Sequence, residues 1–227
     1  IANWKMNPQT SRDAWDLAEG VKRGVKDAHG VKVVLCPPHA FVAQILPSGN
    51  VEVGAQDCFW ENDGAFTGEV SPTMLKNLGC TYVLLGHSER KKYLGETLEM
   101  VRKKVKAALA AGLTPVVCIG EHIEQELSEI VSDLNEDDLK RSVFVYEPEW
   151  AISTSKNAKA DSPEHVKNAI ERIKAIVGSD TPVLYGGSTN SENIQSFIDS
   201  GAQGALVGSA SLDAKEFIQL VKNAVMS

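Results

Sequence analysis

The sequence lacks long hydrophobic runs and has few cysteines, and both features limit the classes of protein to which it can belong. No apolar stretch approaches the roughly 18 residues that a membrane-spanning helix needs, and the first residues, IANWKMN, do not follow a signal-peptide pattern. The four cysteines lie far apart, with no CxxC pair: Cys36, Cys58, Cys80 and Cys118. We therefore expect reduced, buried thiols in a cytoplasmic protein, and no metal or redox site.

Basic blocks are also absent. The formal net charge is −7, and the acidic residues are spread along the chain. Neither nucleic acid nor an anionic membrane surface is an expected partner of such a protein. A small anion can still bind locally, to backbone N–H groups, helix N-termini and one or two lysines.

Short β-branched runs alternate with stretches of helical period along the whole chain. Eight strands are predicted, at 1–4, 31–36, 51–55, 82–85, 114–119, 142–146, 182–185 and 205–207. Helices are predicted at 11–28, 41–46, 71–78, 95–111, 136–140, 163–177, 190–200 and 214–225. Asp213 is the predicted N-cap of the last helix, with Glu216 at capping-box spacing. The alternation predicts one α/β domain over residues 1–227, a closed (β/α)8 barrel of eight parallel strands.

One strand ends in a carboxylate. In residues 146–156, YEPEWAISTSK, Glu147 is followed at once by Pro148. Proline keeps the preceding residue out of the helical region and lacks a backbone donor, so the strand has to stop there. The small polar residues that follow are typical of a mobile loop. We predict a reactive carboxylate at a strand end, joined to that loop.

Other polar groups follow other predicted strands, at the barrel face where active sites lie. Glycine-containing turns come after strands seven and eight, at 186–188 and 208–209. Their N–H groups can converge on a phosphate, although ordinary turns that need positive φ have the same sequence pattern. His87 begins a turn at a helix N-terminus, where the helix dipole favours neutral imidazole. Lys5 lies between Trp4 and Met6, unlike a surface lysine.

These groups together suit one type of chemistry. Proton abstraction beside a carbonyl needs a base, hydrogen-bond donors for the developing enediolate, and exclusion of water. The carboxylate, the neutral histidine, the lysine and the phosphate turns can supply them. A Schiff-base aldolase would need a buried lysine at a later strand end, and the sequence has none there.

Six motifs in order resemble the triosephosphate isomerase family over essentially the whole chain: NWKMN at 3–7, GAFTGEVSP at 64–72, GHSER at 86–90, YEP-x-WAI at 146–152, YGGS at 185–188 and LVG-x-ASL at 206–212. The resemblance implies a TIM barrel that interconverts dihydroxyacetone phosphate and D-glyceraldehyde 3-phosphate without metal or cofactor.

The resemblance also implies residue roles. Glu147 shuttles the proton, His87 polarises the carbonyl, Lys5 and Asn3 stabilise the enediolate, and Glu89 supports the lysine. The remaining implied residues bind phosphate or act in lid closure: Ser153, Ser188, Gly187, Gly208 and Ser209 for phosphate, and Tyr185, Trp150 and Ala158 for the lid.

A long aromatic connection, residues 56–70, begins with Gln56 and ends with Val70. It either folds on its own barrel or inserts into a partner subunit. The resemblance implies a homodimer through this loop, with Thr67 close to Asn3 and Lys5 of the neighbour.

Several positions depart from the family pattern. Ser153 and Ser155 replace two lid glycines, and a Cβ opposes any positive φ there by roughly 1 kcal/mol or more per residue. Glu149 replaces a small or apolar residue, and Ser209 replaces a glycine of a phosphate turn. Slower lid closure or weaker phosphate binding is expected, and a catalytically impaired phosphate-binding barrel, a scaffold or sensor, is the alternative function.

Overall fold

The computed structural model describes residues 1–152 and 160–225. Within these residues seven parallel strands form one sheet in chain order: β1 (Ala2–Asn3), β2 (Val33–Cys36), β3 (Val51–Ala55), β4 (Tyr82–Leu85), β5 (Thr114–Ile119), β6 (Val143–Tyr146) and β7 (Val183–Tyr185). The α-helices of this part of the chain are α1 (Ser11–Val25), α2 (His39–Val42), α3 (Pro72–Asn77), α4 (Ser88–Leu94), α5 (Leu98–Ala110), α6 (Ile123–Ile130), α7 (Glu136–Lys140), α8 (Pro163–Val177), α9 (Ile194–Asp199) and α10 (Ala214–Asn223). None of them is both long and apolar enough to cross a bilayer.

Residues 205–207 close the sheet between β7 and β1. Ala205 pairs in parallel with Tyr185, and Val207 pairs in parallel with Ala2. The N–H of Asn3 donates to the carbonyl of Val207 at 2.8 Å. The predicted eighth strand is thus present as two isolated bridges, and the predicted (β/α)8 barrel is confirmed.

The strands separate two apolar layers. In β2, Val34 and Cys36 face the barrel interior, while Val33 and Leu35 pack under the helices. Successive side chains of a strand point to opposite faces, so each buried strand contributes to both layers. All four cysteines are free and buried, as predicted.

Several helical regions differ from the prediction: the predicted helix 41–46 is the single turn His39–Val42, and helix α4 was not predicted. The predicted helix 95–111 begins only at Leu98, after the N-cap Thr97, because Gly95 adopts φ +67° and ends the separate helix α4. Glycine takes this left-handed conformation without a Cβ penalty. Helix α6 was not predicted, although its Ile123 and Leu127 are fully buried against the barrel.

Candidate active site

Three polar side chains meet at the C-terminal ends of the strands. Asn3 ends β1, His87 follows β4 and Glu147 follows β6. With Lys5 they line one very small cavity, of about 10 Å³. A barrel brings strand ends together at this face, which is how residues so far apart in sequence become neighbours.

Glu147 is almost completely buried. One carboxylate oxygen, Oε1, lies 3.0 Å from Nε2 of His87, and Oε2 accepts from the backbone N–H of Ser88 at 3.1 Å. Burial raises the pKa of this carboxyl, but the adjacent His87 and the Ser88 donor lower it by more, so the net direction is downward. The group is therefore an ionised carboxylate that can act as a base at neutral pH.

His87 is oriented by the first turn of α4. The N–H of Glu89 donates to Nδ1 of His87 at 3.2 Å, so this nitrogen acts as an acceptor and the proton is assigned to Nε2. Burial lowers the pKa of His87, but the Glu147 carboxylate and, to a smaller extent, Glu89 together raise it by more. That upward effect requires Glu147 to stay beside Nε2. Once the carboxylate turns to a substrate, burial, the largest effect, and Lys5 lower the pKa of His87 while Glu89 raises it, and the burial favours a neutral hydrogen-bond donor.

Lys5 has a left-handed backbone, with φ +53°. A non-glycine residue in this region costs about 1–3 kcal/mol and persists only where its surroundings fix it. Its N–H donates to Oδ1 of Asn3 at 3.0 Å, and its carbonyl accepts from Nε2 of Gln56 at 2.8 Å. Its ammonium contacts Oε1 of Glu89 at 2.7 Å. Gln56 thus positions Lys5, a role that the sequence analysis missed because the contact joins residues 51 positions apart.

The predicted phosphate turns meet beside this pocket. Gly187, Ser188, Gly208 and Ser209 line one open cavity of about 560 Å³. Both the N–H and the hydroxyl of Ser188 donate to the carbonyl of Ala151, at 2.8 and 2.9 Å. The Ser188 N–H therefore has to leave this carbonyl before it can bind an anion.

The sequence was compared with known proteins. The family model described as triosephosphate isomerase matches residues 1–224. This chain belongs to the triosephosphate isomerase family. Relatives named triosephosphate isomerase include one from Thermoanaerobacter pseudethanolicus, 42% identical over 240 residues and covering 96% of each chain. One from Endomicrobium trichonymphae is 39% identical over 240 residues, covering 97% of this chain and 96% of the relative. The resemblance and the predicted isomerase class are confirmed.

Two family positions predicted for lid closure lie among the described residues. Trp150 is in a 3-10 turn, Glu149–Ala151, directly after the strand end that carries Glu147. The hydroxyl of Tyr185 accepts from the N–H of Asp161 at 3.0 Å. The other positions named for the lid and its phosphate contact, Ser153, Ser155 and Ala158, lie outside the described residues.

Gly187 is required by close packing. A Cβ at this position would lie 1.9 Å from the Tyr185 hydroxyl oxygen and 2.3 Å from the ring. No side chain fits there unless the tyrosine moves. The glycine therefore allows the phenol of Tyr185 to lie against the turn 186–188.

A second charged cluster joins the segment after β3 to helices α4 and α5, and sequence reasoning missed it. The ammonium of Lys104 contacts Oδ1 and Oδ2 of Asp57 at 2.8 and 2.9 Å and also Oε1 of Glu96. Arg90 adds a contact to Asp57 at 2.7 Å. We call these four residues the Lys104 cluster. A pattern could have identified it, because Lys104 interrupts the buried face of α5.

The predicted dimer loop, residues 56–70, carries stacked aromatic rings. Phe59 lies 4.0 Å from Trp60 and 4.6 Å from Phe66 between ring centroids. Phe66, next to Thr67, is 42% exposed. The loop is therefore packed on itself and still presents apolar surface.

Proposed function

We propose that this chain interconverts dihydroxyacetone phosphate and D-glyceraldehyde 3-phosphate. The observation that carries the proposal is the Glu147 carboxylate 3.0 Å from the Nε2 of His87, in a pocket that Lys5 also lines. A base and an electrophile at such a distance can act on adjacent carbons of one small substrate. Family membership supports the same reaction.

In the proposed reaction Glu147 takes a proton from the carbon beside the carbonyl. His87 donates a hydrogen bond from Nε2 to the carbonyl oxygen, and the charge that develops there is stabilised by Lys5 and Asn3. Glu147 then returns the proton to the neighbouring carbon, while His87 moves protons between the two oxygens. No net oxidation occurs, because one carbon gains the hydride equivalent that the other loses.

Substrate binding requires the pocket to rearrange. A cavity of about 10 Å³ has no room for a triose. The Glu147 carboxylate fills the space beside His87 and has to leave the Ser88 N–H for a substrate C–H to take its place. We propose that the phosphate then binds to backbone N–H groups of Ser153, Ser188, Gly208 and Ser209.

The test is turnover of dihydroxyacetone phosphate by the purified chain in a coupled assay. We expect isomerisation, and inhibition by phosphoglycolate, which resembles the enediolate. Binding of phosphoglycolate without any turnover would instead indicate a phosphate-binding protein and contradict the proposed enzyme.

We further propose a homodimer through residues 56–70, in a cytoplasmic enzyme with no nucleic acid or membrane partner. Exposed apolar side chains support the dimer: Phe66 is 42% exposed and Met6, next to Lys5, is 83% exposed. Sedimentation at micromolar concentration is expected to show a dimer that Phe66→Asp weakens. A monomeric parent chain would contradict the proposal. A cytoplasmic location of the protein suits the substrate, because a phosphate dianion does not enter a bilayer unaided.

A further inference from the structure

Residues 153–159 are flanked in sequence by Trp150 and Asp161, and both contact His165 of helix α8. The indole of Trp150 lies nearly parallel to the imidazole, with ring centroids 6.2 Å apart and an interplanar angle of 17°. On the other side, Nδ1 of His165 lies 2.7 Å from Oδ2 of Asp161. One imidazole therefore joins the two segments between which residues 153–159 run.

Asp161 is a fixed anchor for this imidazole. Its carboxylate is 4% exposed, and Oδ1 accepts from the N–H of Ser162 at 2.7 Å. Its own N–H donates to the buried hydroxyl of Tyr185. It also lies at the N-terminus of α8, where the helix dipole stabilises a carboxylate. The ring of His165 additionally meets Tyr146 edge-on, with centroids 6.1 Å apart. The imidazole is thus held from two directions.

The turn Glu149–Ala151 connects this stack to the phosphate site. It carries Trp150 and, one residue later, the Ala151 carbonyl that accepts from both donors of Ser188. A single N–H cannot serve this carbonyl and a phosphate oxygen at full strength together. While Trp150 lies on His165, the turn stays in a position that occupies the Ser188 donors.

We propose that His165 is a positioning residue whose ring holds the turn Glu149–Ala151 in the arrangement that withholds Ser188 from phosphate. The inference rests on the proposed phosphate site. A ligand that takes the Ser188 N–H has to displace the turn and break the stack. The apparent binding free energy of such a ligand is therefore less favourable by the free energy of the Trp150–His165 contact.

The experiment separates the ring of His165 from its hydrogen bond. His165→Gln removes the ring and keeps an amide that can reach Asp161, whereas His165→Phe keeps the ring and loses that hydrogen bond. His29→Gln, at an exposed histidine after α1, is the matched control. Titration calorimetry measures phosphoglycolate binding, and circular dichroism with thermal unfolding shows that each variant is folded.

We expect His165→Gln to bind phosphoglycolate about two- to tenfold more tightly than the parent, the range that one aromatic stack supplies. The KM for dihydroxyacetone phosphate should fall in parallel. His165→Phe and His29→Gln should keep Kd close to the parent value. A residue that merely stabilised the fold would give weaker binding when replaced, which is the opposite direction.

Unchanged or weaker binding by His165→Gln would overturn the inference, as would equal tightening in His165→Phe. The parent chain separates this failure from that of the proposed function. If the parent turns over substrate and binds phosphoglycolate while the variants match it, only the role of His165 is wrong. If the parent does neither, the proposed function is wrong and this inference with it.

Discussion

Among the described residues, the Lys104 cluster and the active site both hold buried charged side chains, and they differ in how many partners each charge has. In the Lys104 cluster one ammonium contacts two carboxylates, and Arg90 adds a further cation to Asp57. In the active site the Glu147 carboxylate has one imidazole and one backbone N–H. The first arrangement is fully charge-paired, whereas the second has a carboxylate held by donors of modest strength.

This difference separates a structural cluster from a reactive one. A buried ion pair that loses one partner leaves an uncompensated charge, so its members cannot exchange partners cheaply. A carboxylate held by one imidazole and one backbone amide can leave both for a substrate and return. We therefore expect replacements in the Lys104 cluster to lower stability, and replacements in the active site to lower the rate.

The largest expected effect is on catalysis, in Glu147→Gln. The amide keeps the size of the side chain and an oxygen that can accept from Ser88, but it cannot take a proton from carbon. We expect kcat to fall by about 10²–10⁴-fold, the contribution typical of a general base, with little change in thermal unfolding. The coupled isomerase assay measures the rate.

Glu171→Gln, at an exposed glutamate of α8, is the matched control and should keep the parent rate. A Glu147→Gln variant with near-parent turnover would show that another group is the base.

The next effect is on stability, in Lys104→Met. The change leaves Asp57 and Glu96 buried without the ammonium that contacts both. We expect the free energy of unfolding to fall by about 3–5 kcal/mol, measured by urea denaturation. Lys103→Met is the matched control, because Lys103 is 46% exposed and contacts only surface partners that a variant can lose cheaply, an i,i+4 salt bridge to Glu99 and the ring of Trp60 at 5.6 Å among them. It should stay within about 0.5 kcal/mol of the parent.

The loss of stability in Lys104→Met should depend on pH, which tests whether the Lys104 cluster is held by paired charges. Burial raises the pKa of Asp57 above its ordinary 3.8, even though Lys104 and Arg90 lower it. Without Lys104 the pKa rises further, so the folded variant binds a proton more readily than the unfolded chain does. The contribution of Asp57 to the stability of the variant therefore increases as pH falls toward 3.8, and the deficit of Lys104→Met relative to the parent should shrink. A deficit that grows on acidification would contradict this assignment.

Local sequence predicted the elements better than it predicted the contacts between them. Strands β3, β4 and β5 begin and end where predicted, since each is a short run rich in β-branched or other apolar residues. Asp213 caps α10 as predicted, accepting from the N–H groups of Lys215 and Glu216. The capping box is wrong, because the Glu216 carboxylate accepts instead from Ser191. That partner is 25 positions away, beyond any local pattern.

The same distinction applies to the site. His87 and Glu147 lie within two residues of a strand end, so the geometry of a barrel makes them predictable. Gln56 contacts Lys5 over 51 positions and Lys104 contacts Asp57 over 47, and the sequence beside them does not indicate these distant partners. The occupation of Ser188 by Ala151 depends on the position of one turn, which neither composition nor periodicity describes.

A smaller effect is on the titration of His87. In the parent the neighbouring Glu147 carboxylate holds the pKa of His87 above its ordinary 6.5, although burial lowers it. In Glu147→Gln that negative charge is absent, and we expect the pKa of His87 to fall below the parent value. Nitrogen-detected NMR of the imidazole measures this. In the Glu171→Gln control the titration should stay at the parent position, and an upward movement in Glu147→Gln would contradict the contact.

The smallest effect concerns Glu89 and Glu96, two glutamates that are close in sequence but belong to different clusters. Glu89 pairs with Lys5 at 2.7 Å, with side chains 31% and 16% exposed, so water and salt screen the pair. We expect Glu89→Gln to cost about 0.2–1 kcal/mol in urea unfolding, less at high salt, and to raise the KM as Lys5 becomes less well oriented. Glu96→Gln, in the Lys104 cluster, should cost clearly more and leave KM near the parent value, because its carboxylate is 2% exposed and meets Lys104 directly. Equal losses of unfolding free energy in Glu89→Gln and Glu96→Gln would contradict the expected difference between a solvent-screened pair and a buried, charge-paired cluster.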